Sequence, residues 1–537
     1  MYGNELDNAQ PNIPELGEIP KWTVPIETPN PDGIVSPLPP STFTESADLS
    51  GLPLSGTLLP GDLSDADKTL FRNVVEKFFP NSMAKEQALS LMNVNSDDSD
   101  ASSKKCLLND NGFGIGIPEM ELVKNLRYED SDVINSDAIR QQFPILHQKV
   151  NGKDLVWFDN GATTQKPLRV IDGLSEFYKH DYSNIHRGAH TLAARSTDQY
   201  EGAREKVARF INAPSSENII FVRGTTEGIN LVANTFGRKN LLAGDNVIVS
   251  TLDHHANIVP WQQICKEVKA ELRAIPIDKN GDLILPELER LITPRTKFIS
   301  VGHVNNTFGT VNDVRTIVKI AHSHGIPVLL DGAQSIAHTK IDVQELDCDF
   351  FVFSGHKIYG PSGIGAVYGK KEVLSQLPPW QGGGNMIKDV TIEKTEFNEP
   401  PARFEAGTPN IADAIGLGYA LDFVQSVGIQ NIERHEHDLT EYAREQIGKI
   451  QGITIMGNPK NRVSVVSFDV HGIPAPQVGQ MLDKEGIAVR AGHHCAQPAL
   501  RALGYEMSVR PTFAVYNTRA EVDRLVAALQ KIVGTSK

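Results

Sequence analysis

Basic charge, cysteine and long apolar runs are all scarce in this sequence, and each shortage removes a class of function. Lysine and arginine number 52 against 66 acidic residues, a formal charge of −14, whereas binding a phosphate backbone needs a basic surface that releases counterions. Nucleic acid is therefore not an expected partner, and neither is an anionic membrane surface. The four cysteines, Cys106, Cys265, Cys348 and Cys495, lack the density of a secreted disulfide scaffold and the CxxC spacing of a zinc or redox site. No metal site is expected, and a cytoplasmic, reducing location suits the chain. Nor does the sequence contain the roughly 18 consecutive apolar residues of a membrane span. The opening MYGNELDNAQ has no basic stretch followed by an apolar run, so export is not expected either.

Strand-like runs are missing from residues 1–131, where prolines, acids and hydroxyl residues dominate; eleven of the 32 prolines fall in the first 60 residues. Segments such as Pro37-Leu38-Pro39-Pro40 favour extended polyproline conformations and bury too little apolar surface to offset chain entropy. The stretch is expected to be disordered, with one island. Ser64 and Asp67 form an N-terminal helix signal, and Leu70, Phe71, Val74, Val75, Phe78 and Phe79 recur at helical spacing up to Pro80, predicting a short helix near 65–79. It could pack on the folded body of the chain or bind a partner.

From about Asp137 the pattern changes. Asn218–Val222, Asn246–Ser250, Lys297–Gly302, Pro327–Leu330 and Asp349–Phe353 are short runs rich in Ile, Val and Phe, separated by helix-length segments. Such alternation predicts an α/β fold whose parallel strands are buried on both faces. Beyond about Gly416, helical stretches with a few strands, such as Val463–Phe468, predict a smaller α+β domain. At 537 residues, more than one hydrophobic core is expected.

Ligands in open α/β sheets sit beyond the carboxyl ends of strands, so the residues following each apolar run carry the functional information. After Val222 come Thr225 and Thr226 at the start of a predicted helix, either plain caps or part of a phosphate cradle. His254 and His255 follow the second run. Adjacent histidines on a helix point apart and have no further ligand at metal spacing, so an aromatic face for a cofactor ring is favoured over a metal site. Asp331 closes an apolar strand, where a carboxylate either caps backbone or pairs with a cationic ring nitrogen. Lys357, just past the fifth run, is either a surface lysine or one placed for Schiff-base chemistry. Taken together, a cradle, a stacking imidazole, a terminal aspartate and a lysine are the parts that pyridoxal phosphate requires.

The motifs HRGAHTL (186–192), VRGTTEGINLVAN (222–234), HHANIVPWQ (254–262), DGAQS (331–335), SGHKIYGPSGIGA (354–366), RFEAGTPN (403–410) and VRAGHHCAQP (489–498) closely resemble those of SufS-type cysteine desulfurases, class V enzymes of fold type I. The resemblance runs from about Asp137 to the C-terminus; the extension has no counterpart in the common form of that family. It implies a large domain, 158–419, with a mostly parallel seven-stranded sheet, and a small α+β domain built from 137–157 and 420–537. It also implies pyridoxal 5'-phosphate carried on Lys357, stacked by His254, paired through its nitrogen with Asp331 and through its ring oxygen with Gln334. Thr225, Thr226, Ser354 and His356 would hold the phosphate, with Thr408 reaching across a homodimer. Asn306 and Arg510 match positions that grip the substrate carboxylate, and Arg490 lies near the nucleophile.

Cys495 is that nucleophile by resemblance, taking sulfur from L-cysteine as a persulfide with release of alanine. Arg490, His493 and His494 flank it and are expected to favour the thiolate; a buried structural thiol is the alternative. The short run from Arg490 to Pro498 resembles the SufS-type loop rather than the longer NifS-type one. That implies a SufE- or SufU-like acceptor reaching in for the sulfur, for iron-sulfur cluster assembly or sulfur storage. Selenocysteine lyase is the nearest rival activity, and a retired scaffold with a purely structural role is a further alternative. The extension, residues 1–131, resembles that of desulfurases carried as encapsulin cargo, and anchors such as Phe71, Val75, Phe78 and Phe79 suit docking on a shell protein; a regulatory or dispensable tail is the other reading.

Overall fold

The computed structural model of the chain describes residues 134–186 and 190–534. The expected disordered extension and its helix near 65–79 lie outside the described residues, as do Arg187, Gly188 and Ala189 of the first motif.

Seven strands build one sheet: β1 (Ile219–Val222), β2 (Asn246–Ser250), β3 (Glu271–Ile275), β4 (Thr296–Gly302), β5 (Val328–Asp331), β6 (Phe350–Ser354) and β7 (Gly365–Gly369). Their order across the sheet is β1-β7-β6-β5-β4-β2-β3. Only β7 runs against its neighbours, β1 and β6; the other pairings are parallel. The reason such apolar runs become strands is that both faces are covered. Phe351, Phe353, Ile299 and Leu330 enter one core cluster, while the alternate residues Phe350, Val352, Phe298 and Leu329 enter the other. Successive side chains on a strand point to opposite faces, so a residue pattern with no polar alternation is what a doubly covered sheet demands.

Two strands escaped the sequence reading. β3, ELRAI, is an edge strand with charged, partly exposed residues, and β7 begins and ends with glycine, so neither presents an apolar run. Gly365 is required where it stands: a Cβ there would lie 2.3 Å from the Phe353 carbonyl oxygen and 2.7 Å from Gly224 Cα. That contact seats the turn leaving β1, from which α1 (Thr225–Val232) begins. The helix starts at Thr225, as expected, and passes into a wider π-type turn at Ala233–Gly237.

A second sheet of four antiparallel strands, β8 (Ile453–Ile455), β9 (Phe468–Val470), β10 (Arg490–Gly492) and β11 (Ser508–Arg510), has the order β8-β9-β11-β10. Its core contains Leu439, Phe468, Val509 and Leu525, joined by Val156 and Phe158 from far upstream. Ile139, Phe143 and Leu146 pack instead in the cluster that holds Phe423 and Tyr516. The strand expected over Val463–Phe468 is displaced to β9. Val463 donates its N–H to Gly309 and Val465 bridges Thr512, so loop contacts occupy that backbone before a ladder can form.

One buried charge pair ties the outer sheet edge to the chain beyond β7. Arg204 places its two terminal nitrogens 2.6 and 3.0 Å from the carboxylate of Glu405, which also accepts the Phe221 N–H at 2.7 Å. Both side chains are almost wholly buried. Removing one partner of such a pair strands the other charge away from water. Glu405→Ala should therefore cost about 3–5 kcal/mol of stability, read as a lowered denaturation midpoint; an unchanged midpoint would contradict the assignment.

Candidate active site

Strand order determines which side chains meet. β5 and β6 are adjacent and parallel, so the residues leaving their carboxyl ends, Asp331 and the segment Ser354–Lys357, arrive side by side. The turns after β1 and β2 bring Thr225, Thr226 and His254 to the same edge. β10 and β11, from the second sheet, close the opposite side with Arg490, Cys495 and Arg510. One cavity of about 250 Å³ is lined by all of these together with Asn306, Gln334 and His356. Every expected site residue except Thr408, which is exposed and outside this lining, converges there.

The cradle is built at the start of α1. The Thr225 N–H donates to Ser354 Oγ at 2.8 Å, and the two hydroxyls lie 2.9 Å apart. Gly224, the residue before the helix, has no side chain to cap it and has φ +152°, so beyond the Thr225 N–H taken by Ser354 the next N–H groups of the first turn have no intrahelical partner and suit an anion. His356 is held neutral, its imidazole pushed down to about 4 by burial and by the neighbouring Lys357 and Lys166 ammoniums.

On the cavity floor, burial raises the Asp331 carboxyl above its ordinary range, opposed by the Ala333 N–H at 2.9 Å from Oδ1 and by the Lys357 charge. Burial, with Arg510 nearby, brings the Lys357 ammonium down to about 8 against the pull of Asp331 and Cys495. A buried carboxylate and a lysine of lowered basicity at one strand edge are groups whose environment has been set for proton traffic. His254 is neutral too: burial, Lys357, His255 and Arg510 bring it down to about 3. Its Nδ1 accepts the Ala256 N–H at 3.0 Å, which leaves Nε2 as the protonated nitrogen. Gln334 donates from Nε2 to the Gly161 carbonyl at 2.8 Å.

Arg510 is anchored by donation to the Asn306 carbonyl at 2.6 Å and by Asp159 at 3.6 Å, while its Nε and the Asn306 Oδ1 are buried with no hydrogen-bond partner among the described residues. Such orphaned groups in a cavity call for a polar ligand. Cys495 stands on the short connection between β10 and the helix Gln497–Ala502, partly exposed. Cys265 and Cys348 are buried in the core clusters outside the cavity lining, their thiols pushed up by burial.

One expectation needs correcting. His493 and His494 were both expected to favour the thiolate, but the His494 ring is buried with Nε2 2.7 Å from Ser508 Oγ. Burial and Arg510 hold it neutral, down to about 2, so it brings no positive charge to the thiol. Two residues had escaped notice as functional, Asp253 in the cavity lining and Asp159 behind its arginines. Asp253 accepts the Ser250 and Gly302 N–H groups, each at 2.6 Å, and burial raises its carboxyl to about 7; its place just after a strand was the available signal. Asp159 joins Arg490 and Arg510, at 3.6 Å from each, and no motif announced it.

The residues fit pyridoxal phosphate: an anion cradle at a helix start, a flat neutral imidazole, a buried carboxylate whose attraction to Lys357 does not offset its burial, and a lysine of lowered basicity. The chain belongs to the class-V aminotransferase family, whose pattern its residues 156–525 match, and the fold is that of the fold-type I pyridoxal-phosphate transferases. Within that family its relatives carry a more particular name. A probable cysteine desulfurase of Mycolicibacterium paratuberculosis is 57% identical over 404 residues, covering 75% of this chain and 59% of that protein. A cysteine desulfurase of Escherichia coli is 49% identical over 401 residues, 74% of this chain and 98% of the relative. The chain thus spans less than two thirds of the mycobacterial protein and nearly all of the enterobacterial one. The crystal structure of the E. coli cysteine desulfurase CsdA superposes with a TM-score of 0.70 at 39% identity, covering 75% of this chain and 99% of that one.

The Lys357 environment is directly testable. In protein stripped of cofactor, labelling of Lys357 by an amine-reactive reagent should rise through a pH of about 8, since only the neutral amine reacts. Asp331→Asn removes the negative charge that favours the ammonium, so the midpoint should move to lower pH. A midpoint near that of surface lysines, or an upward shift in the variant, would contradict the geometry.

Proposed function

We propose that this chain is a pyridoxal-phosphate-dependent cysteine desulfurase of the SufS type, converting L-cysteine to L-alanine and keeping the sulfur as a persulfide on Cys495. The observation that carries the reading is the convergence of Lys357, Asp331 and Cys495 on one cavity. The names of the relatives support it.

The cofactor, when bound, supplies a ring that draws electrons away from the Cα of an attached amino acid. Thr225, Thr226, Ser354 and His356 would hold its phosphate, Asp331 would keep the proton on its ring nitrogen, Gln334 would hydrogen-bond its ring oxygen, and His254 would cover the ring. Arg510 and Asn306 take the substrate carboxylate. Lys357, with a basicity near neutrality, removes the Cα proton and returns it. The Cys495 thiolate then attacks the substrate sulfur: an S–S bond forms, the C–S bond breaks, its electron pair stays on carbon, and a proton completes alanine.

The thiol sits on residues 493–496, between β10 and a helix, and so short a tether cannot swing far. We therefore assign delivery to a SufE- or SufU-like acceptor that comes to the cavity, for iron-sulfur cluster assembly or sulfur storage. A homodimer is part of the proposal, because Thr408 is exposed in a motif that resembles one reaching the neighbouring subunit's phosphate. A thiol nucleophile needs a reducing compartment, which supports a cytoplasmic site. The 1–131 extension, by its resemblance to that of desulfurases carried as encapsulin cargo, is assigned to tethering inside such a shell.

Release of alanine and sulfide from L-cysteine tests the proposal. Wild type should turn over, Lys357→Ala should be inactive, and Cys495→Ser should lose at least about a thousandfold. Full activity in Cys495→Ser would remove the persulfide step.

A further inference from the structure

The segment carrying Cys495 is bent against its preference. His494 and Cys495 have φ of +52° and +54° in succession, a left-handed conformation that residues with a Cβ adopt at a cost of about 1–2 kcal/mol each. Something must hold it. The His494 carbonyl accepts from Asn306 Nδ2 at 2.7 Å, and the Cys495 carbonyl accepts the His255 N–H at 2.7 Å. Two imidazoles complete the fastening. The Cys495 N–H donates to Nδ1 of His493 at 3.1 Å, and the Gln497 N–H donates to Nε2 of His255 at 3.3 Å. Their rings lie 5.9 Å apart, inclined by 31°, beside the loop and away from the cavity lining.

His255 therefore touches the nucleophile segment twice, through its backbone and through its ring, while the residue before it, His254, lines the cavity. We infer that the His255 side chain is a positioning residue, a latch that keeps the strained Cys495 segment turned into the cavity and whose release loosens the segment in place. This rests on Cys495 being the nucleophile. The latch needs an unprotonated ring nitrogen, because an N–H group cannot accept from Gln497. Burial and the neighbouring His493 keep the His255 imidazole below its ordinary range, in keeping with that role.

The test is the alkylation rate of Cys495 by iodoacetamide in the full-length, cofactor-loaded protein, read on the Cys495 peptide by mass spectrometry. Losing one hydrogen bond that restrains the segment should raise the rate about fivefold in His255→Ala. His255→Gln, whose amide oxygen still accepts the Gln497 N–H, should return it to within about twofold of wild type. The visible absorbance of the cofactor should persist in both. Alkylation of His255→Ala at the wild-type rate, or of His255→Gln as fast as His255→Ala, would overturn the latch, as would loss of the cofactor absorbance in His255→Ala. Hydrogen exchange of the wild type gives a second measurement that needs no variant: the Gln497 amide should be protected, and free exchange would overturn the inference. Failure of alanine release from L-cysteine would remove the functional reading but leave these results standing.

Discussion

A carboxylate and an amine buried at the ends of two adjacent parallel strands set the terms for everything else in this molecule. Asp331 and Lys357 leave β5 and β6 on the same edge, and each depends on the other to limit the cost of burial. Their attraction is incomplete, since burial still outweighs it for both groups. A site left in that state holds a proton loosely and accepts a cationic ring nitrogen readily. The sheet can carry such groups because its strands are apolar on both faces, and the cavity lies where the apolar runs stop.

The second sheet contributes the other half of the chemistry. β10 and β11 bring Arg490, Cys495 and Arg510 over the cavity, and Asp159 couples the two arginines. Charge here is arranged in layers: neutral imidazoles at His254, His356 and His494, cationic Arg510 held by Asp159 and the Asn306 carbonyl, and a thiol at the rim. Neutral histidines near two cations avoid adding to the positive field of the cavity.

Much of this was legible from residue order. The expected strands β1, β2, β4, β5 and β6 are present to within a residue or so at each end, because doubly buried strands leave unbroken apolar runs. The residues after them, Thr225, His254, Asp331 and Lys357, do meet, because parallel strands with their carboxyl ends aligned leave them little choice. What could not be read has a common physical cause. β3 is an edge strand with a charged face, β7 depends on a glycine pressed against Phe353 and Gly224, and Val463–Phe468 is claimed by loop contacts with Gly309 and Thr512. Each is decided by a distant neighbour rather than by its own pattern. The same holds for Asp159, whose partners lie hundreds of residues downstream, and for His494, whose charge state is fixed by burial that no sequence window reveals.

The central claim is that sulfur from free L-cysteine ends on Cys495. Mass spectrometry of the protein after a single turnover, with no acceptor or reductant present, addresses it most directly. One additional sulfur atom on the Cys495 peptide, matched by one alanine, is the predicted result. Alanine formed with the extra sulfur on Cys106, Cys265 or Cys348, or on no cysteine at all, would contradict it.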